Sequence, residues 1–299
     1  MEALLKNNPL ILMEAAIVEQ LRWHSDVQLH PRLSNAPLIY TAKEPLTQLY
    51  KQYMDIALTA DLPFLMCTPT WRANRERVEQ ADNPDFNHIN TDAVQFLQQI
   101  KQASGQVDKV KIGGMMSCKN DCYQPEQGLS TQEAKQFHQW QVNALAEAGV
   151  DFLFAVTLPN IDEAIGIAQA METTDKPYII SFVISREGQL LDGTSLHAAI
   201  EKVDLATERK ALGFMVNCAY PSFLCADNQP PEMFKRLIGY QANASSLDHC
   251  DLDNAAQLES DTVQHWGDEM RRFNQQFGVN ILGGCCGTNA EHLRYLVAR

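Results

Sequence analysis

The sequence predicts a single (β/α)8 barrel domain over residues 1–299, and three observations lead there. Eight short apolar runs recur along the chain, and helical patterns alternate with them. The runs are continuous rather than alternating, as in strands buried on both faces of a parallel sheet. No glycine-rich phosphate loop follows the first of them, which favours a closed barrel over a doubly wound sheet.

The expected strands, in order, are 10–16 (LILMEAA), 63–71 (PFLMCTPTW), 110–117 (VKIGGMMS) and 151–159 (DFLFAVTLP), then 177–185 (PYIISFVIS), 211–219 (ALGFMVNCA), 236–244 (RLIGYQANA) and 279–287 (VNILGGCCG). Helices are expected over 45–59, opening at Pro45, over 91–103, and over 131–148, where Ser130 and Glu133 have the spacing of a capping box. Further helical patterns cover 161–171, 194–204, 254–276 and 289–298, the last starting from Thr288 or Asn289. The proline-rich connection 219–236 leaves room for about two turns of helix. Residues 72–90, rich in Arg, Asn and Asp, form the longest expected loop at a strand end and would lie over the active face.

A net charge of −13 argues against a nucleic-acid partner, which would require clustered Lys and Arg. No run approaches the ~18–20 apolar residues of a membrane span. The opening MEALLKNNPLILMEAA lacks the long apolar stretch and small-residue cleavage site of a signal peptide, so a cytoplasmic protein is expected. In that setting the eight cysteines, at 67, 118, 122, 218, 225, 250, 285 and 286, are free, catalytic or metal-bound rather than a disulfide framework.

Cys218 ends the sixth expected strand, and Cys285 and Cys286 end the eighth. Barrel strands end on one rim, so the three thiolates can converge on one Zn²⁺ at about 2.3 Å, leaving a fourth position for substrate. Gly283, Gly284 and Gly287 flank the adjacent pair and let two consecutive side chains turn to one point. A lone Cys218 would read as a small buried hydrophobe; two thiols in a glycine turn gain nothing as packing. The pair Cys118 and Cys122 reads either as a second metal site or, more simply, as solvent-facing thiols. Asn217 either donates a hydrogen bond toward Cys218 or merely ends its strand.

GGCCGT at 283–288, with NC at 217–218, resembles the homocysteine S-methyltransferase family, and the likeness extends over AGVDFLFAVTLPNIDEA (148–164), ISFVISREGQLLDGTSLHAAI (180–200) and FGVNILGGCCGTNAEHLRYL (277–296). The resemblance implies the same barrel, Zn²⁺ on Cys218, Cys285 and Cys286, and methyl transfer from a sulfonium or quaternary ammonium donor to the thiolate of homocysteine or a related small thiol. A coordinated thiol is deprotonated at neutral pH and stays nucleophilic, and the barrel mouth holds the donor in line. Related outcomes are a relative with a different thiol and donor, or a barrel that binds zinc and thiols without turnover.

Three positions depart from the family pattern. An Asp-Gly-Ala-Met-Gly-Thr-like run becomes Glu14-Ala15-Ala16-Ile17-Val18-Glu19, keeping a carboxylate and losing both glycines. Thr-x-Thr-Tyr becomes Thr68-Pro69-Thr70-Trp71, exchanging a phenol for an indole that can stack on a cationic donor. Glu-Thr-Ile-Pro becomes Val156-Thr157-Leu158-Pro159, removing the carboxylate expected to meet the amino group of homocysteine. The residues expected to face the substrates are therefore Glu14, Trp71, Thr157 and Asn217.

Overall fold

The computed structural model describes residues 1–24, 27–247 and 261–298. The eight strands form a closed parallel barrel in sequence order. They are β1 Ile11–Met13, β2 Phe64–Cys67, β3 Val110–Ser117, β4 Phe152–Leu158, β5 Tyr178–Phe182, β6 Gly213–Ala219, β7 Leu237–Ala242 and β8 Ile281–Gly284. Closure is made by β8 on β1, with Ile11 opposite Ile281 and Leu12 opposite Leu282.

The continuous apolar runs divide by parity into two cores, as strands covered on both faces require. Ile11, Met13, Leu65, Phe152, Phe154, Ile179, Met215 and Ile281 form one cluster inside the barrel, and Leu4 and Leu5 of α1 (Glu2–Asn7) pack against it. The residues between them in sequence, such as Leu12, Met66, Leu153, Ile180 and Val216, join a larger cluster under the surrounding helices.

Those helices are α2 Val18–His24, α3 Leu38–Thr41, α4 Lys43–Thr59, α5 Arg75–Gln80, α6 Ile89–Ala103, α7 Thr131–Glu147, α8 Ile161–Met171, α9 Leu196–Ala206, α10 Val263–Phe277 and α11 Ala290–Val297. At the start of α7 the Glu133 carboxylate accepts the Ser130 N–H at 3.1 Å, as its spacing predicts. The α11 helix is capped by Asn289, whose side chain accepts from Glu291 N.

Several boundaries differ from expectation. The first, second, fifth and eighth strands are shorter than 10–16, 63–71, 177–185 and 279–287, and residues just beyond the ends of the first, second and eighth line a cavity instead of joining the sheet. The 72–90 segment is not irregular: Asn74 caps α5 by accepting from Arg77 N, and a 3-10 turn follows at Pro84–Phe86. The 219–236 connection forms three 3-10 turns, Pro221–Leu224, Ala226–Asn228 and Pro231–Lys235, in place of an α-helix. The α4 helix starts two residues before Pro45, and α6 and α9 are displaced from their expected bounds by about one turn or less. Of the expected 254–276 helix, α10 carries the part from Val263, capped by Thr262; residues 254–260, like Cys250, lie outside the described residues.

Candidate active site

Two irregularities aim the site. Strand register breaks between Ala155 and Leu158 on β4 and between Asn217 and Ala219 on β6. At each break one residue has a positive φ, Thr157 at 56° and Cys218 at 53°. By simple alternation Cys218 would follow Val216 onto the helix side of the barrel; the bulge instead returns it to the inside. A left-handed backbone at a non-glycine residue costs about 1–3 kcal/mol and persists only where its surroundings impose it.

Asn217 does the imposing. Its Oδ1 accepts the Thr157 N–H at 2.8 Å and the Ser181 hydroxyl at 2.6 Å. Its Nδ2 donates to Thr157 Oγ1 at 2.7 Å and to Cys218 Sγ at 3.2 Å. One buried amide thus ties the two bulges to each other and to a sulfur, which settles the choice between a strand end and a hydrogen bond toward Cys218.

The turn after β8 is held as fully. Cys285 N–H donates to Ala242 O at 2.8 Å, and Cys286 N–H donates to Asn243 Oδ1 at 3.1 Å. The carbonyl of Cys286 accepts from Ala244 N, that of Cys285 from the Thr288 hydroxyl, and the Glu19 carboxylate takes the Gly287 N–H. A Cβ on Gly284 would be driven into the Thr288 side chain, and Gly287 sits at φ 79°. Glycine is required at both places for the two cysteines to face one point.

The three sulfurs of Cys218, Cys285 and Cys286 all lie within 4.8 Å of one another. Cys218 and Cys285 meet sulfur to sulfur as a disulfide pair rather than as separate thiolates, with Cα atoms 5.4 Å apart. That Cα separation is compatible with a disulfide and, once reduced, with two thiolates on one ion. Burial, followed by the nearby Glu19 carboxylate and Cys122, pushes the Cys286 thiol well above its ordinary value. Three converging soft donors fit a metal, which deprotonates coordinated thiols outright.

A cavity of about 430 Å³ opens over these sulfurs. Glu14, Trp71, Thr157 and Asn217 line it together with all three cysteines and Val156, so the sequence-derived site residues are brought to one place. Glu14 is buried, its carboxylate accepts Cys67 N–H at 2.7 Å, and burial outweighs that bond to push its pKa up to about 8. Trp71 lies in the cavity wall rather than on the outer helices; the Arg72 guanidinium covers its ring at 4.4 Å, and its buried indole N–H has no hydrogen-bond acceptor among the described residues.

Cys118 and Cys122 are buried, not solvent-facing, and Cys122 lines the cavity. They lie in no cluster of three or more metal-binding side chains among the described residues. The sequence reading missed Ser181, Gln241, Asn243 and Glu19. The first three are polar residues near the C-terminal ends of apolar strands, a readable sign of a barrel site. Glu19 acts through a loop contact that the sequence does not announce.

A sequence profile for homocysteine S-methyltransferase matches residues 11–299. Among curated proteins, the chain is 26% identical over 181 residues to homocysteine S-methyltransferase YbgG of Bacillus subtilis, covering 59% of this chain and 55% of that protein. It is 24% identical over 274 residues to betaine–homocysteine S-methyltransferase 1 of Rattus norvegicus, covering 84% and 63% respectively. The chain therefore spans 55–63% of the length of these curated relatives. Among solved structures, the metallated form of the homocysteine methyltransferase MmuM from Escherichia coli has the same fold, with a TM-score of 0.78 at 18% identity over 99% of this chain and 98% of that one. In the described residues no helix is long and apolar enough to cross a membrane.

Proposed function

Because the chain belongs to the homocysteine S-methyltransferase family, we propose that it transfers a methyl group from a sulfonium or quaternary ammonium donor to the sulfur of homocysteine or a related small thiol. The observation that carries this reading is the convergence of Cys218, Cys285 and Cys286 on one wall of a cavity of about 430 Å³. In their reduced form these three would hold Zn²⁺, which supplies deprotonation and orientation of the acceptor sulfur. Residues 1–299 would act as one domain of a cytoplasmic enzyme, a compartment that keeps such thiols reduced.

The protein's own groups divide the remaining work. Asn217 fixes Cys218 and the β4 bulge, and Asn243 fixes Cys286, so the sulfurs are set before substrate arrives. Glu14 offers a carboxyl group to an acceptor's ammonium, and pairing would draw its proton off. Trp71 presents an aromatic wall to the donor's methylated cation.

Val156 supports a second reading within the same chemistry. It places an apolar side chain in the cavity where the family motif has a glutamate, which suits a thiol without an amine. A turnover screen of reduced, zinc-loaded protein decides between them. Homocysteine and simple alkyl thiols are each paired with methionine-type sulfonium and betaine donors. Methylated thiol with any pair upholds the reaction, and the preferred thiol identifies the acceptor. Stoichiometric zinc and thiol binding without product would leave a binding barrel instead.

A further inference from the structure

A second cavity of about 650 Å³ adjoins the thiol cavity and shares Trp71, Arg72 and Arg22 with it. Four arginines line it: Arg22, Arg32, Arg72 and Arg77. Such a concentration is unexpected on a chain of net charge −13. Arg22 and Arg32 are exposed, whereas Arg72 and Arg77 are half-buried. Among the described residues, no carboxylate is within ion-pair distance of any of the four. Neighbouring Arg75 and Lys119, by contrast, are paired with Glu79 and Glu76.

The guanidinium groups spend their hydrogen bonds on uncharged acceptors. Arg72 donates to Asn120 O at 3.1 Å, Arg32 to Gln80 Oε1 at 2.8 Å, and Arg77 to the carbonyls of Arg32 and Lys119 at 3.4 Å each. None of these bonds supplies a countercharge. Burial first, then the adjacent Arg72, pulls Arg77 below its ordinary pKa, against the nearby Glu76 carboxylate, which raises it. The Asp121 carboxylate also lines the cavity, but it is engaged by Tyr123 N–H at 2.9 Å and by the Gln124 side chain at 3.1 Å. Planar guanidinium forks around an open volume are suited to phosphate or carboxylate oxygens.

We propose that this arginine-lined cavity is a subsite for a polyanionic group, a phosphate or clustered carboxylates, carried by the methyl donor. The donor's cation would lie over the sulfurs beside Trp71, and its anionic part would extend past Arg72 into the second cavity. A donor as small as a trimethylated amino acid would leave most of that volume empty. Assigning the anion to the methyl donor rests on the methyl-transfer reading; binding of the anion does not.

The test is calorimetric titration of the intact protein with inorganic phosphate and, separately, with citrate at constant ionic strength. Saturable binding of one is expected, the stronger ligand telling phosphate from carboxylate chemistry. Arg72→Gln and Arg77→Gln should each weaken it by about tenfold or more, the scale of one lost charge-assisted bond. The exposed double substitution Arg22→Gln/Arg32→Gln carries little folding risk and should weaken it as well. Arg75→Gln, paired with Glu79 outside the cavity, should leave it unchanged. No saturable binding of either anion below about 10 mM, an affinity under about 3 kcal/mol, overturns the subsite. So does binding that the arginine substitutions do not reduce. Anion binding with no methyl transfer from sulfonium or quaternary ammonium donors, including ones that carry a phosphate or clustered carboxylates, would retain the subsite and refute the reaction instead.

Discussion

The two sides of the barrel mouth are built differently. On the side of β6 and β8, the polar groups around the cysteines find partners within the protein: Asn217 uses both ends of its amide, and Asn243, Thr288 and Glu19 hold the cysteine turn. On the side of β1 and β2, the Glu14 carboxyl is held toward its protonated form, and among the described residues the Trp71 indole N–H lacks an acceptor and four arginines have no carboxylate within ion-pair distance. The first side is positioned by hydrogen bonds within the protein and leaves its sulfurs for a metal; the second has charge and hydrogen-bonding capacity left for a substrate. A centre that only has to grip sulfur can be finished by the chain itself, whereas a surface that selects a substrate must leave its own groups unsatisfied until the substrate arrives.

The largest effects should come from the completed side. Cys285→Ala is expected to preserve the fold and to weaken zinc binding by more than about 100-fold, since one of three protein ligands is lost. Competition against a chromophoric chelator under reducing conditions measures this, and undiminished affinity would remove the metal from the reading. Asn217→Ala should weaken the metal by about 10–100-fold and cost about 1–3 kcal/mol of stability, because it strands the buried Thr157 N–H. A lower melting temperature with unchanged zinc affinity would show that Asn217 holds the barrel and has no hold on the sulfur.

The substrate side should respond selectively. Val156→Glu is expected to lower the KM for homocysteine by about tenfold and to leave an amine-free alkyl thiol unaffected. A fully buried unpaired charge would be worth about 3–5 kcal/mol, and an open cavity reduces it. Equal changes for both thiols would mean that amine recognition lies elsewhere.

Glu14 gives a pH signature on this side. Its folded-state pKa of about 8 lies above the ordinary 4.5, so between those values the folded chain holds a proton that the unfolded chain has lost. Its contribution therefore lowers stability as pH rises through that window and is most favourable below it. Urea unfolding at intervals across the window should show the slope, and Glu14→Gln should flatten it. An identical slope in the variant would place the titration on another group.

The same contrast explains what could be read in the sequence. Eight apolar runs and the GGCCG turn are local patterns, so the barrel and the three cysteines were legible. Strand ends were not, because Ala15, Ala16 and Ile17 are as apolar in a cavity wall as in a sheet. The α5 helix was hidden in a charged stretch whose only signal is the cap at Asn74. The positive φ of Thr157 and Cys218 was illegible for a physical reason: neither residue favours it, and Asn217 imposes it from a different strand for Thr157 and from the adjacent position for Cys218. The cavity arginines are scattered from 22 to 77 and meet only in the fold.

The smallest effect, and the sharpest test of the open side, concerns Trp71. A methylated cation on an aromatic face gains about 0.5–2 kcal/mol, so Trp71→Leu should weaken donor binding by about 2- to 30-fold. One face of this ring already carries the Arg72 guanidinium, centred 4.4 Å away. A donor cation must therefore use the other face or displace the arginine. Tetramethylammonium separates these cases, because it has a cationic head and no anionic part for the arginines to hold. If the two cations compete for one face, Arg72→Ala should bind tetramethylammonium more tightly and show a larger quench of Trp71 fluorescence. If they take opposite faces, Arg72→Ala should gain only the small benefit of a removed like charge, screened by salt. Tetramethylammonium affinity unchanged by Trp71→Leu would show that the ring is a wall of the cavity and not a cation site.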